Sequence, residues 1–204
     1  MADDTSDAGT VGSVRELVVG DDDGGATRVA IPTSTIRDWV IAVGGALIVA
    51  LFVQSFVAQM FYIPSPSMEP TAGVGDRVMV SKMTYRFDDV ARGDVVVFDR
   101  PAALVADEDI DVLIKRIIAL PGDTVESRDG GVFVNGVRLD EPWLTARDTT
   151  EGIGLQRVPA GQLYVLGDNR ENSGDSRVFG TIRQDSVVGR AVFVAWPLGH
   201  VAAL

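Results

Sequence analysis

The sequence predicts a mainly β protein, with a single N-terminal transmembrane helix followed by a compact all-β domain of coiled-sheet or barrel-like form. Three observations predict it. No charged residue occurs between Asp38 and Glu69. Beyond residue 62 the apolar residues fall in short runs rich in Val, Ile and Phe, separated by turn residues. No long helical periodicity follows them, and no internal repeat is visible.

Residues 1–35 are rich in Asp, Gly, Thr and Ser. With the run Asp21-Asp22-Asp23-Gly24-Gly25 they are expected to form a disordered acidic tail. The 22 residues Trp39 to Met60 would span roughly 33 Å as a helix, enough for a bilayer core, and the anchor is assigned to 36–60. Trp39 and Tyr62 suit the two interfaces. Phe56-Val57-Ala58 lacks the small residue that a signal-peptide exit would carry at its first position. Arg28 and Arg37 favour a cytoplasmic N-terminus, although Arg77, Lys82 and Arg86 follow the other end. Residues 61–204 form the β domain. Its strands are expected at Arg77–Ser81, Asp94–Phe98, Val112–Ala119, Val132–Val134, Val137–Leu139, Gln162–Leu166 and Val187–Ala195. Asn135-Gly136 between two of these supplies the positive φ of a type I′ hairpin turn.

Composition narrows the chemistry. The net charge of −11 disfavours a nucleic-acid partner, because phosphate binding requires clustered Lys and Arg. There is no cysteine, which removes thiol nucleophiles, disulfides and thiolate metal sites. The one histidine, His200, excludes a histidine-rich metal centre and leaves little room for a Ser-His-Asp arrangement. Of 18 basic residues only Lys82 and Lys115 are lysine. Arginine stays protonated in proteins, so these two are the basic side chains able to serve as a proton acceptor near neutral pH besides His200.

Three segments can carry a reaction. In Ile63-Pro64-Ser65-Pro66-Ser67-Met68-Glu69-Pro70-Thr71, three prolines in seven residues exclude a helix and hold two serines in a stiff stretch just past the anchor. A proline-rich linker with incidental serines is the plainer reading. In Asp111–Asp123, Lys115 shares a strand face with Leu113 and Ile117. Apolar neighbours disfavour the ammonium form, which would leave the lysine neutral and basic near pH 8. The plainer reading is a packed stem whose head reaches water. The run Gly167-Asp168-Asn169-Arg170-Glu171-Asn172-Ser173-Gly174-Asp175-Ser176-Arg177 is a turn-rich loop. It is not an EF-hand, since Phe179 stands where the distal glutamate would be.

Together, behind an anchor and in this order, the stretches PSPSMEPT, RGDVVVF (92–98), IKRIIALPGD (114–123) and GDNRENSGDSR (167–177) resemble bacterial signal peptidase I. The resemblance implies a membrane-bound serine endopeptidase that cleaves signal peptides from exported preproteins after small-x-small sites, through an acyl-enzyme and without metal or cofactor. It implies Ser67 as nucleophile and Lys115 as general base. It assigns Ser65 to the oxyanion hole with the Ser67 N–H, and Ser173 to orienting the lysine. Asp175 and Arg177 match a supporting ion pair, with Asp168 and Arg116 bracing the same loop. Phe61, Ile63, Met68, Val97, Leu113 and Ile114 match the shallow substrate pockets, although ordinary core packing would account for them equally. Pro66 stands where relatives often carry glycine. Family topology places the chain in the cell membrane as a single-pass protein with a cytoplasmic N-terminus, an extracytoplasmic peptidase domain, and secretory preproteins and membrane lipid as partners. Two other readings fit parts of the pattern: an inactive or peptide-binding membrane-tethered relative, and a self-cleaving Ser-Lys protease like the DNA-damage repressors, which however carry a DNA-binding domain.

Overall fold

A chain with this many short β-branched runs needs several strand partners to satisfy its backbone, and the computed structural model supplies them in three sheets. It describes residues 14–19, 27–56, 58–104, 110–145 and 147–204. The chain divides into two units, Met1–Val53 and Gln54–Leu204.

In the N-terminal unit, strands β1 (Val14–Val19) and β2 (Thr27–Pro32) pair antiparallel, from Val14 opposite Pro32 to Val19 opposite Thr27. This differs from the disordered tail expected over 1–35. Both segments, VRELVV and TRVAIP, carry β-branched residues that the acidic average conceals. The other residues of that tail up to Ala26 lie outside the described residues. Helix α1 (Thr33–Phe56) follows, 24 residues long. Its described side chains include Trp39, Val40, Ile41, Ile48 and Val49, all more than 60% exposed. Among the described residues, no helix is long and apolar enough to cross a membrane.

The helix stops short of the anchor boundary expected at Met60. Ala58–Tyr62 form strand β3, paired with β4 (Arg77–Ser81) from Ala58 opposite Ser81 to Tyr62 opposite Arg77. An uncharged run does not mark where a helix gives way to a strand; here the ladder to β4 decides it.

The main sheet of the second unit is antiparallel, in the order β3, β4, β13 (Val187–Trp196), β5 (Val95–Asp99), β6 (Val112–Ala119), β11 (Gln162–Leu166), β12 (Ile182–Arg183). Strand β14 (Ala202–Ala203) adds to β13. Register shifts interrupt the β13 ladders and the β11–β6 ladder, and such irregularities bend and curl a sheet. A smaller sheet has the order β10 (Gln156–Arg157), β7 (Thr124–Arg128), β8 (Gly131–Val134), β9 (Val137–Arg138). Asn135 and Gly136 turn β8 into β9 with φ of 54° and 77°, as the type I′ turn requires. Beyond β3 the described α-helices are short; α2 (Thr84–Phe87) and α3 (Ser176–Phe179) have four residues each.

Two cores fix the site. Ile63, Met68, Val78, Val80 and Val97 pack under the serine-bearing loop. Val125, Val132, Tyr164 and Leu166 join the small sheet to β6 and β11. At roughly 25 cal/mol per Å² of apolar area removed from water, each fully buried Val or Leu side chain contributes about 2 kcal/mol. The loop and the strand carrying the lysine therefore rest on a rigid base.

Candidate active site

The proline-rich loop after β3 is closed on itself. Ile63 N–H donates to Asp76 O at 2.9 Å, Gly75 N–H to Ile63 O at 2.9 Å, and Met68 bridges Ala72. The Asp76 carboxylate accepts from Gly73 N–H at 2.8 Å. Met68 is fully buried beneath this loop, which leaves the neighbouring Ser67 at the rim of the core, 7% exposed.

Lys115 lies on β6, opposite Val96 of β5. It is 3% exposed, and its Nζ is hydrogen-bonded to Ser67 Oγ at 2.7 Å and to Ile114 O at 2.8 Å. Burial lowers its pKa from the ordinary lysine value to about 8, while the carboxylates of Asp175 and Asp168 pull it back up. Desolvation wins, so about a tenth of the amine is neutral at pH 7 and about half at pH 8. Ser65 Oγ–H donates to Ser67 Oγ at 3.2 Å, so two of the polar groups singled out in the sequence converge on the hydroxyl oxygen of a third.

The loop 167–177 backs this pair. Asn169 N–H donates to Ser67 O at 3.1 Å, and Asn169 Nδ2 to Pro66 O at 3.2 Å. Asp175 caps α3 through Arg177 N–H at 3.2 Å, accepts from Gly167 N–H at 3.1 Å and pairs with Arg177 through two contacts of 2.9 and 2.8 Å. That pairing holds the Arg177 guanidinium above its ordinary pKa. Arg116 and Asp168 form a two-pronged pair at 2.9 and 2.6 Å with side chains 6% and 0% exposed. Asp168 also accepts from Thr71 Oγ1 at 2.5 Å, Arg116 reaches Gly93 O at 2.7 Å, and its guanidinium stacks 4.4 Å over Trp143. Each of these buried charges thus has a partner, the condition for the network to rigidify rather than weaken the loop.

Two of the expected site residues have other surroundings. Ser173 Oγ is buried and has no hydrogen-bond partner, so it does not hold Lys115 here. The Nζ is already engaged by Ser67 and the Ile114 carbonyl. A cleft of about 50 Å³ beside the Ser67–Lys115 pair is lined by Phe61, Ile63, Val97, Leu113 and Ile114, five of the six expected pocket residues. Met68 is not among the lining; it is spent on the core under the loop. Tyr62, Ile110 and Val112 also line the cleft.

Sequence reasoning passed over four contributors. Asn169 and Thr71 lie inside the quoted stretches, and their Asx and hydroxyl character was the available signal. Glu141 and Thr150, both in contact with Arg170, lie between the stretches and carried none. Among the described residues no cluster of His, Cys, Asp and Glu is arranged to hold a metal ion.

Comparison with known proteins gives a consistent result. The family described as signal peptidase, peptidase S26, matches residues 36–196. The chain is 45% identical over 159 residues to probable signal peptidase I-2 of Synechocystis sp., covering 78% of this chain and 72% of that protein. It is 38% identical to signal peptidase I of Leptolyngbya laminosa, covering 84% and 85%, and 33% identical to signal peptidase I of Bacillus licheniformis, covering 82% and 92%. A crystal structure of a signal peptidase I from Enterococcus faecalis is similar at 34% identity with a TM-score of 0.41, covering 52% of this chain and 98% of that one. With a match over residues 36–196 and relatives of one kind over most of its length, the chain belongs to the signal peptidase, peptidase S26, family.

Proposed function

We propose that the chain is a membrane-bound serine endopeptidase that removes signal peptides from exported preproteins, with Ser67 and Lys115 as its reacting pair. The observation that carries this reading is the 2.7 Å contact between Lys115 Nζ and Ser67 Oγ, made by two buried side chains in a cleft. Neutral Lys115 takes the Ser67 proton as Oγ attacks the scissile carbonyl carbon. The Ser65 hydroxyl and the Ser67 N–H stabilise the oxyanion, a donor of this kind being worth about 3 kcal/mol. The lysine ammonium then protonates the departing amine as the C–N bond breaks. Water, deprotonated by the now neutral Lys115, attacks the Ser67 ester carbonyl, and the lysine returns that proton to Ser67 Oγ as the C–O bond breaks and the acid is released.

The small cleft supports specificity for small-x-small sites, since about 50 Å³ admits a methyl group more readily than a branched side chain. No cofactor enters any step. Asp175, Arg177, Asp168 and Arg116 hold the supporting loop.

Attachment to the cell membrane by one segment around α1, with the N-terminus cytoplasmic and the peptidase domain outside, is part of the same proposal. It is supported by the exposed apolar side chains of that helix, by Arg28 before it and by Arg37 near its N-terminal end. The partners are then preproteins and lipid. The test is cleavage of a purified preprotein by detergent-solubilised wild type beside Lys115→Ala, with the new N-terminus sequenced. Cleavage after an Ala-x-Ala site by the wild type alone is expected; equal cleavage by both would remove Lys115 from the reaction.

A further inference from the structure

Arg170 belongs to the loop that backs Ser67, yet it takes no part in the chemistry just described. Its side chain is withdrawn from solvent. Nε donates to Gly167 O at 3.1 Å. Nη2 donates to Glu141 Oε1 at 2.5 Å, and Nη1 to Glu141 Oε2 at 3.3 Å and to Thr150 Oγ1. One guanidinium therefore ties the backbone of the active-site loop to two residues of the segment joining β9 to β10.

What it holds is a place with no slack. A β-carbon built on Gly167 would collide with Ser67 O and Ser173 Oγ, both well inside the 3.0 Å that real β-carbons keep. Two residues on, Asn169 N–H donates to the same Ser67 carbonyl. The turn 167–169 is thus the surface on which the Ser67 backbone seats, and Arg170 fixes its first carbonyl. The far end is equally well anchored. Thr150 is 1% exposed, and its N–H donates to Gly130 O at 2.9 Å in the β7–β8 turn. Glu141 has a side chain 9% exposed, and its backbone O accepts from Leu144 N–H at 3.1 Å.

We infer that Glu141 and Thr150 are positioning residues for acyl transfer: through Arg170 they clamp the Gly167–Asn169 turn against the Ser67 backbone, so that the small sheet sets the aim of the nucleophile. The inference rests on Ser67 being the nucleophile. Its physical basis is that misplacing a reacting group by about 1 Å can cost on the order of 100-fold in rate. The pairing also accounts for a carboxylate buried at position 141: a two-pronged guanidinium contact compensates its desolvation.

The test uses the full chain in detergent, a preprotein substrate, and titration of active sites with a fluorophosphonate, which phosphonylates a reactive serine with loss of fluoride. Glu141→Gln keeps shape and an acceptor oxygen but removes the charge. Thr150→Val keeps shape and removes the Nη1 acceptor. The expected result is a kcat per titrated site lowered about 10-fold by Glu141→Gln and about threefold by Thr150→Val, with KM within about twofold. Combined with Arg170→Lys, Glu141→Gln should add less than its own separate loss, because the two changes break one contact. Loss carried wholly by a smaller titratable fraction, or kcat per site within about twofold of wild type for both single variants, overturns the inference. Should Glu141→Gln not fold, Thr150→Val decides alone. Retained labelling and cleavage in Ser67→Ala would instead overturn the assignment of the nucleophile, whatever Glu141 does.

Discussion

Gly167 and Ser67 meet backbone to backbone, with the Ser67 carbonyl oxygen standing where it would clash with any β-carbon on Gly167. Real β-carbons do not approach so closely, so the contact admits only glycine. Gly167→Ala should displace Ser67 or the turn behind it and lower kcat about 100-fold or more. Gly199→Ala, where nothing stands within 4 Å, is the matched control and should leave activity near wild type. Initial rates of preprotein cleavage check both; an active Gly167→Ala enzyme would mean that the loop relaxes freely.

The pH dependence follows from Lys115, whose pKa is lowered to about 8 by burial. In the proposed mechanism the neutral amine accepts the Ser67 proton, so kcat/KM should rise with pH and level off above about 8. Stability has the same sign. The folded state binds the lysine proton less tightly than the unfolded chain does, so the buried lysine costs most at low pH, and stability recovers as pH rises from about 8 toward the ordinary lysine value. Lys115→Met should therefore abolish turnover yet raise unfolding stability by about 3 kcal/mol at pH 7, with the gain shrinking by pH 10. Urea titrations at the two pH values read the difference.

Much of this site was legible in the sequence because its parts are local. Arg77–Ser81, Val112–Ala119 and Gln162–Leu166 begin and end where their β-branched runs do. Lys115 stood out as an amine on an apolar strand, and the Asn135-Gly136 turn announced its own backbone angles. What escaped depends on distant partners. Ala58–Tyr62 reads as the end of an apolar helix until β4 is beside it. The two-residue strands Gln156–Arg157 and Ile182–Arg183 exist only through their neighbours. Met68 carries the apolar character of a pocket residue, and only the packing under the loop assigns it to the core. Glu141 could not be connected to the site from sequence, because 29 residues separate it from Arg170.

Asp168 is shared between two tasks, and its replacement should separate them. Its carboxylate neutralises the buried Arg116 and also raises the pKa of Lys115. Asp168→Asn leaves Arg116 without a counter-charge and should cost about 3–5 kcal/mol in urea unfolding. The same change removes a negative charge near Lys115, so the amine becomes easier to deprotonate. The acid limb of kcat/KM should move to lower pH in the folded variant. A limb that moves to higher pH would contradict the electrostatic account.

The cleft predicts how specificity can be changed. Leu113 lines it from β6, two residues before Lys115, alongside Phe61, Val97 and Ile114. Leu113 is only partly buried, so shortening it empties space in the cleft more than in the core. Leu113→Ala should let a residue larger than alanine sit before the scissile bond. One or two methylenes in an apolar pocket alter discrimination by roughly 10–200-fold, and a shallow cleft belongs at the low end. The ratio of kcat/KM for an Ala-x-Val peptide over its Ala-x-Ala counterpart should therefore rise about 10-fold. An unchanged ratio with intact overall activity would place the specificity pocket elsewhere on the β5–β6 surface.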